Sequence, residues 1–253
     1  MISIENYILL TILSPLLVCI LTPFLSNNVL LRDILGPIGG VVSSWGAIEI
    51  TRSVLNGEKP SVEIFQIAEG LTISFNITPL GAIFGIVASF LWVVAAIYSV
   101  GYMRGNKEKN QTRFFTFYAL AIHAALCIAY SGNLLTLFIF YEILTFSTYP
   151  LITHKQDEVA KKAGRIYMTI LVGSSILLLL PAIIWVWVIT GTLEMSQNGI
   201  LSGKLDPKYA PYLLMMFVFG IGKAALIPLH SWLPAAMVAP TPVSALLHAV
   251  AVV

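Results

Sequence analysis

The stretch MMFVFGIGKAALIPLHSWLPAAMVAPTPVSALLHAV, residues 215–250, decides how this chain is read. It opens as an apolar run fit for a bilayer, yet it carries Lys223 where no loop is available to hold a charge. Gly220 and Gly222 precede the lysine, and Pro228 and Pro234 follow it. Pro228 has no amide proton for the carbonyl of Ala224, so a helix running through this point is expected to kink or break there. The next segment, APTPVS, spells a stop and a restart: Pro240 closes the turn, Thr241 is the expected N-cap and Pro242 the first helical residue. Broken spans in transporters expose backbone polar groups only where water or a site can satisfy them. The interruption is therefore a candidate site, and His230 lies inside it, near the expected cytoplasmic interface.

The remainder of the chain makes the membrane setting unavoidable. Of 253 residues, 58% are hydrophobic and 10% are charged, against about 45–50% and about 25% in a soluble domain. The mean hydropathy is +0.88. There is too little charge to cover a water-facing surface, which excludes a disordered chain, a disulfide scaffold and an ordinary soluble enzyme. The net charge of +2 and the lack of a basic cluster interleaved with aromatics give no sign of nucleic-acid binding. Cys19 and Cys127 sit singly in apolar runs and form no redox or metal motif.

About 20 apolar residues cross a bilayer core of about 30 Å. On that rule the expected spans are 6–25, 29–50, 79–100, 114–131, 133–152, 166–190 and 209–229, with an eighth starting at Thr241. The fold class is thus all-α, a polytopic transmembrane bundle of about seven spans plus the start of an eighth. The opening MISIEN has no basic residue and no cleavage site follows, so the first run is read as a span and not as a signal peptide. Segment 51–78 alternates polar and apolar residues and is expected to form a small surface β-hairpin. Two regions are expected: N-terminal spans with the hairpin over 1–113, and a second helical region over 114–253 that contains the interrupted span.

If alternate connections share a side, one side carries nine basic residues and the other four. By the positive-inside rule the nine face the cytoplasm and the amino terminus lies outside. The stretch 155–165 then reads as a solvated amphipathic link, and Trp185 and Trp187 as interface or lipid-contacting aromatics. Pro242 opens the eighth helix only eleven residues before Val253, so the rest of that span is expected on a missing segment or another chain.

Three ionisable groups fall inside apolar runs: Glu142 in FYEILTFSTYP (140–150), Lys223, and His248 early in the eighth span. A charge at mid-bilayer costs about 2.5–3.5 kcal/mol on insertion scales, so these groups are expected to face the interior and to meet partners or water. Each has a plainer reading: a capping carboxylate, a lysine snorkelling to the interface, a packed neutral imidazole. An acid, an amine and an imidazole on three spans nonetheless form a set suited to passing protons. A carboxylate beside a lysine modulates its charge, and histidine titrates near neutrality. His123, Glu49 and His154 are read as structural.

At Glu142, Lys223 and the run PLHSWLPAAMVAPTPVSALLHA (228–249), the chain resembles the antiporter-like membrane subunits shared by complex I, membrane-bound hydrogenases and multisubunit monovalent cation/proton antiporters. Among these it is most similar to the D-type subunits of the antiporters. The resemblance implies inverted repeats of five helices, each with one broken helix. It also implies a proton pathway through Glu142, Lys223 and His248, with His230 as an entry-side group.

The leading expectation is a proton-conducting subunit of a sodium/proton antiporter, working with other membrane subunits and with Na+ or K+ in the plasma membrane. The alternative is a proton-pumping subunit of a complex I-type or hydrogenase assembly. A third reading is a structural fragment that does not conduct. No nucleotide, haem, flavin, iron–sulfur or metal motif is present, and no covalent catalysis is assigned.

Overall fold

The structure, a computed structural model, describes residues 3–68, 70–196 and 199–252, with side chains through Ala249 in the last segment. Among the described residues, six helices are long and apolar enough to cross a membrane. They are α1 (Ile4–Phe24), α2 (Val29–Leu55), α3 (Pro79–Gly105), α4 (Gln111–Ala129), α5 (Leu134–Ile152) and the joined span Glu158–Thr190. Lipid offers no hydrogen-bond partners, so apolar segments of this length close their backbone bonds within each helix. At one proline a neighbouring helix fills the gap in that ladder. Pro15 leaves the Thr11 carbonyl without its helical donor, and the Ser43 hydroxyl of α2 donates to it at 2.9 Å. Small residues bring α1 and α2 together; a Cβ on Gly46 would collide with the Thr11 hydroxyl.

The connections α1–α2 and α3–α4 and the one between α5 and the joined span Glu158–Thr190 meet at one end of the bundle. Arg104 at the close of α3 donates to Asp33 at the start of α2 (2.7 Å), and Arg113 of α4 donates to the His154 carbonyl after α5 (2.8 Å). The expected hairpin lies at the opposite end. Strands β1 (Ser61–Ala68) and β2 (Leu71–Asn76) pair antiparallel, with Ser61 opposite Asn76. The turn between α4 and α5 grips it. The Asn76 amide donates to the Tyr130 carbonyl (2.8 Å), the Gly132 amide to the Ser74 carbonyl (2.9 Å), and the buried Asn133 amide group to Thr72 and Ser74.

The sixth span starts earlier than its apolar run. Asp157 caps it by accepting from the Ala160 amide at 2.7 Å, so most of the stretch read as a solvated link is the first turns of α6 (Glu158–Ser174). A π-helical turn at Ser175–Leu179 leads into α7 (Leu180–Thr190). Pro181 lacks the amide proton for the Leu177 carbonyl, a local reason for the widened turn.

The seventh span is broken, but not where proline predicts. Helix α8 (Ala210–Gly220) stops before Lys223, and Pro228 lies beyond its end with no helix to interrupt. The stop falls where the chain comes close to its neighbours. A Cβ on Gly220 would come 2.6 Å from the Leu179 nitrogen in the π turn, and one on Gly222 would collide with the Ser174 hydroxyl. The chain continues as a 3-10 turn at Gly222–Ala224, another at Leu229–Ser231, and the short α9 (Trp232–Ala236), which contains Pro234. Helix α10 (Thr241–Leu246) restarts one residue earlier than expected. Pro240 occupies the N-cap, Thr241 is already helical and Pro242 follows it, before a π-helical turn at Leu247–Val252.

Candidate functional site

Lys223 sits in the 3-10 turn that replaces helix after Gly220, and it is 3% exposed. Its ammonium is aimed at α5. Nζ donates to the Tyr141 carbonyl at 2.7 Å and to the Thr145 hydroxyl at 2.6 Å, and lies 3.2 Å from the centre of the Tyr141 ring. An ammonium has three N–H donors, and here a carbonyl, a hydroxyl and a π face receive them. Tyr141 and Thr145 stand four residues apart, one helical turn, and so present one face to the lysine. The backbone beneath the lysine is tied on both sides. The Lys223 amide donates to the Tyr141 hydroxyl at 3.2 Å, and Trp232 Nε1 donates to the Gly222 carbonyl at 2.9 Å.

The polar face of α5 continues to Thr148, whose hydroxyl shares a hydrogen bond with the hydroxyl of Tyr167 on α6. The Tyr167 ring meets Trp232 edge-on at 5.5 Å. Both rings are fully buried, so the aromatic pair seals the lysine turn against α6.

Glu142 is one residue round α5 from Tyr141. Both of its carboxylate oxygens are enclosed and have no hydrogen-bond partner among the described residues. It makes no ion pair with Lys223 among those residues, although it acts on the ammonium electrostatically. The expected acid–amine contact is therefore open in this structure. His248 lies in the π-helical turn after α10 and is exposed, as is His230 in the turn Leu229–Ser231. Both segments pack against the lysine turn, but neither imidazole is enclosed with Lys223.

Other ionisable groups divide by their partners. His123 is 6% exposed, and its Nδ1 donates to the Ile12 carbonyl of α1 at 2.6 Å. Glu49 pairs with Arg52 at 2.6 Å. His154 is buried after α5, its ring nitrogen 3.9 Å from the Glu108 carboxylate. Burial, and then the Arg113 charge, hold its proton affinity below the ordinary histidine value. Cys19 and Cys127 are free thiols. Among the described residues no three His, Cys, Asp or Glu side chains converge as metal ligands would.

Two clusters escape a sequence reading. One is the hydroxyl lining of the lysine, since Thr145 and Tyr141 look like ordinary span residues. The other is Asp33, 5% exposed, which accepts from Arg32 Nε and from Arg104 Nε, each at 2.7 Å. Arg32 in turn donates to Gln111 at 2.9 Å. The only advance signal for the second cluster is an acid among basic residues at three neighbouring connections.

Comparison with known proteins agrees with this architecture. Residues 131–253 match the family described as "NADH:quinone oxidoreductase/Mrp antiporter, TM". Residues 66–115 match "NADH-Ubiquinone oxidoreductase (complex I), chain 5 N-terminus". Antiporter subunit mnhA2 of Staphylococcus haemolyticus is 28% identical over 250 residues, covering 98% of this chain and 31% of that protein. NADH-ubiquinone oxidoreductase chain 5 of Allomyces macrogynus is 31% identical over 249 residues, covering 97% and 35%. The chain thus spans about a third of the length of these curated relatives. They are of the mnhA2 and chain 5 types, where the motifs pointed to the D type; the family level is what they share.

Two solved structures have the same fold. A chain of the membrane-bound sulfane sulfur reductase, an archaeal respiratory membrane complex, aligns with a TM-score of 0.81 at 23% identity, over 97% of this chain and 50% of that one. A chain of the Mrp complex from Dietzia sp. DQ12-45-1b aligns with a TM-score of 0.81 at 18% identity, over 100% and 47%. The bundle, its broken seventh span and both sequence matches lead to one conclusion: the chain belongs to the antiporter-like membrane subunits common to Mrp antiporters and complex I.

Proposed function

We propose that this chain is the proton-handling part of an antiporter-like subunit in a multisubunit monovalent cation/proton antiporter. It lies in the plasma membrane with its amino terminus outside and the basic connections facing the cytoplasm. Lys223 is the central proton carrier. Glu142 modulates its charge, His248 passes the proton onward, and His230 stands on the entry side. The observation that carries this reading is the buried ammonium of Lys223 in a broken span, beside a Glu142 carboxylate with no partner of its own among the described residues. Such an arrangement costs stability and adds little to packing, which is the usual mark of an intramembrane ion or proton route.

The test is proton flux in inverted membrane vesicles carrying the full assembly, driven by added Na+ and followed with a pH-sensitive dye. Lys223→Ala is expected to abolish the flux while the assembled complex remains. Wild-type flux in that variant would remove the lysine from the mechanism. The second reading, a pumping subunit of a complex I-type oxidoreductase, is supported by the 31% identity to a chain 5 protein. It predicts NADH-driven flux without a Na+ requirement, and co-purification with hydrophilic iron–sulfur subunits.

A further inference from the structure

The Lys223 Nζ is held by the Tyr141 carbonyl (2.7 Å), the Thr145 hydroxyl (2.6 Å) and the Tyr141 ring (3.2 Å). The two oxygens of Glu142, the next residue on α5, are enclosed and unpartnered among the described residues. We propose that Tyr141 and Thr145 form a berth that competes with Glu142 for the Lys223 ammonium, and that Thr145 is the positioning residue that sets the balance. This rests on the reading of Lys223 as a proton carrier and adds to it a named alternative resting place.

Four features support the berth. The Thr145 hydroxyl donates to the Tyr141 carbonyl at 3.0 Å, so its lone pairs are left to face the ammonium as acceptors. The lysine backbone is pinned by the Tyr141 hydroxyl and by Trp232, so the exchange is a swing of the side chain and not a movement of the broken helix. Residues 141 and 142 are neighbours on α5, about 100° apart around its axis. The carboxylate therefore lies on the adjacent face of the same helix. Finally, the competition is local. The titratable groups around the lysine turn are Tyr141 and Glu142 from α5 and Tyr167 from α6, while His230 and His248 on the flanking segments are exposed.

A berth of this kind has a functional consequence. A lysine on the carboxylate keeps its proton; a lysine on neutral oxygens holds it less firmly. Thr145→Val keeps the shape of the side chain and deletes the acceptor. The lysine then shifts toward Glu142 and releases its proton only at higher pH.

The experiment is the pH profile of proton flux in inverted vesicles carrying the assembled full-length complex, driven by Na+ and, separately, by NADH. Thr145→Val is expected to move the profile to higher pH by about one unit, the size of a charge-assisted hydrogen bond. Thr145→Ser restores the hydroxyl and the wild-type profile. Thr145→Cys, with its weak acceptor, gives the alkaline shift if the valine variant does not assemble.

An unmoved profile overturns the berth, as does an acid shift, which would mean that the lysine stays in place and merely loses a partner. Loss of assembly in both the valine and cysteine variants, with serine assembled, would make Thr145 a packing residue and also overturn it. Failure of the wider reading looks different, because Lys223→Ala would then conduct normally. A dead Lys223→Ala beside an unmoved Thr145→Val sinks only the berth.

Discussion

Asp33 and Glu142 are both carboxylates drawn inside the helical bundle, and they are treated in opposite ways. Asp33 accepts from two arginines at 2.7 Å, and one of those arginines is itself bound to Gln111 at 2.9 Å. The cluster joins the start of α2, the end of α3 and the start of α4. Glu142 has neither a hydrogen-bond partner nor an ion pair among the described residues, although a buried ammonium lies close by. A saturated acid has one state and holds helices together. An acid left unsatisfied keeps the freedom to take up a proton or a counter-ion, and that freedom is what a relay uses.

The sharpest way to break this comparison is to delete each acid. Asp33→Ala leaves buried Arg32 without its counter-charge and is expected to cost about 3–5 kcal/mol, read as an early loss of the detergent-solubilised complex on heating. Glu142→Gln removes a charge that makes no hydrogen bond and no ion pair with a described residue. Thermal stability is expected to stay at or above wild type while proton flux in vesicles falls by about an order of magnitude. Equal destabilisation by the two substitutions would erase the distinction between them.

A smaller effect comes from the backbone that frees the lysine. Gly222→Ala drives a Cβ into the Ser174 hydroxyl and is expected to cost about 1–3 kcal/mol by overpacking. Gly173, one residue before Ser174, has nothing within 4 Å of an added Cβ. Gly173→Ala is expected to be neutral or to stabilise by up to about 1 kcal/mol. Matching melting curves for the two alanine variants would show that the lysine turn does not depend on close approach.

The smallest effect concerns His154, which lies between the two extremes: buried, and only loosely faced by Glu108 at 3.9 Å. Burial first, and then Arg113 with a contribution from Lys155, lower its proton affinity in the folded protein, while Glu108 partly offsets them. The unfolded chain therefore binds the proton first, and stability falls as pH drops below about 6.5. In His154→Phe the melting temperature of the solubilised complex should lose that part of its acid sensitivity. An unchanged acid slope would show that His154 is not its source.

Most of the architecture was legible because it follows from solvent physics. Apolar length placed the first five spans, partial alternation announced the hairpin, and the glycines and prolines around a lysine without a loop marked the broken span. What escaped notice depends on pairing across distance. Asp33, Arg32 and Arg104 read as members of flanking connections because nothing local reveals that three helix ends meet. The break was assigned to Pro228 because proline is the strongest local breaker. The observed stop falls at Gly220, and the close approach of Gly220 and Gly222 exists only against the Ser175–Leu179 turn and Ser174. Thr145 and Tyr141 looked like common span residues until Lys223 was laid across them.

The π turn at Ser175–Leu179 also fixes the tolerance of this helix to insertions and deletions. A widened turn holds one residue more than an ordinary one, and each residue of an α-helix carries the chain about 100° around its axis. Deleting one residue there would restore a regular ladder with α7 close to its present phase, whereas a deletion in the regular part of the helix would turn everything beyond it by about 100°. The widened turn is thus the place where this rod can lose a residue while Trp185 and Trp187 keep their facing.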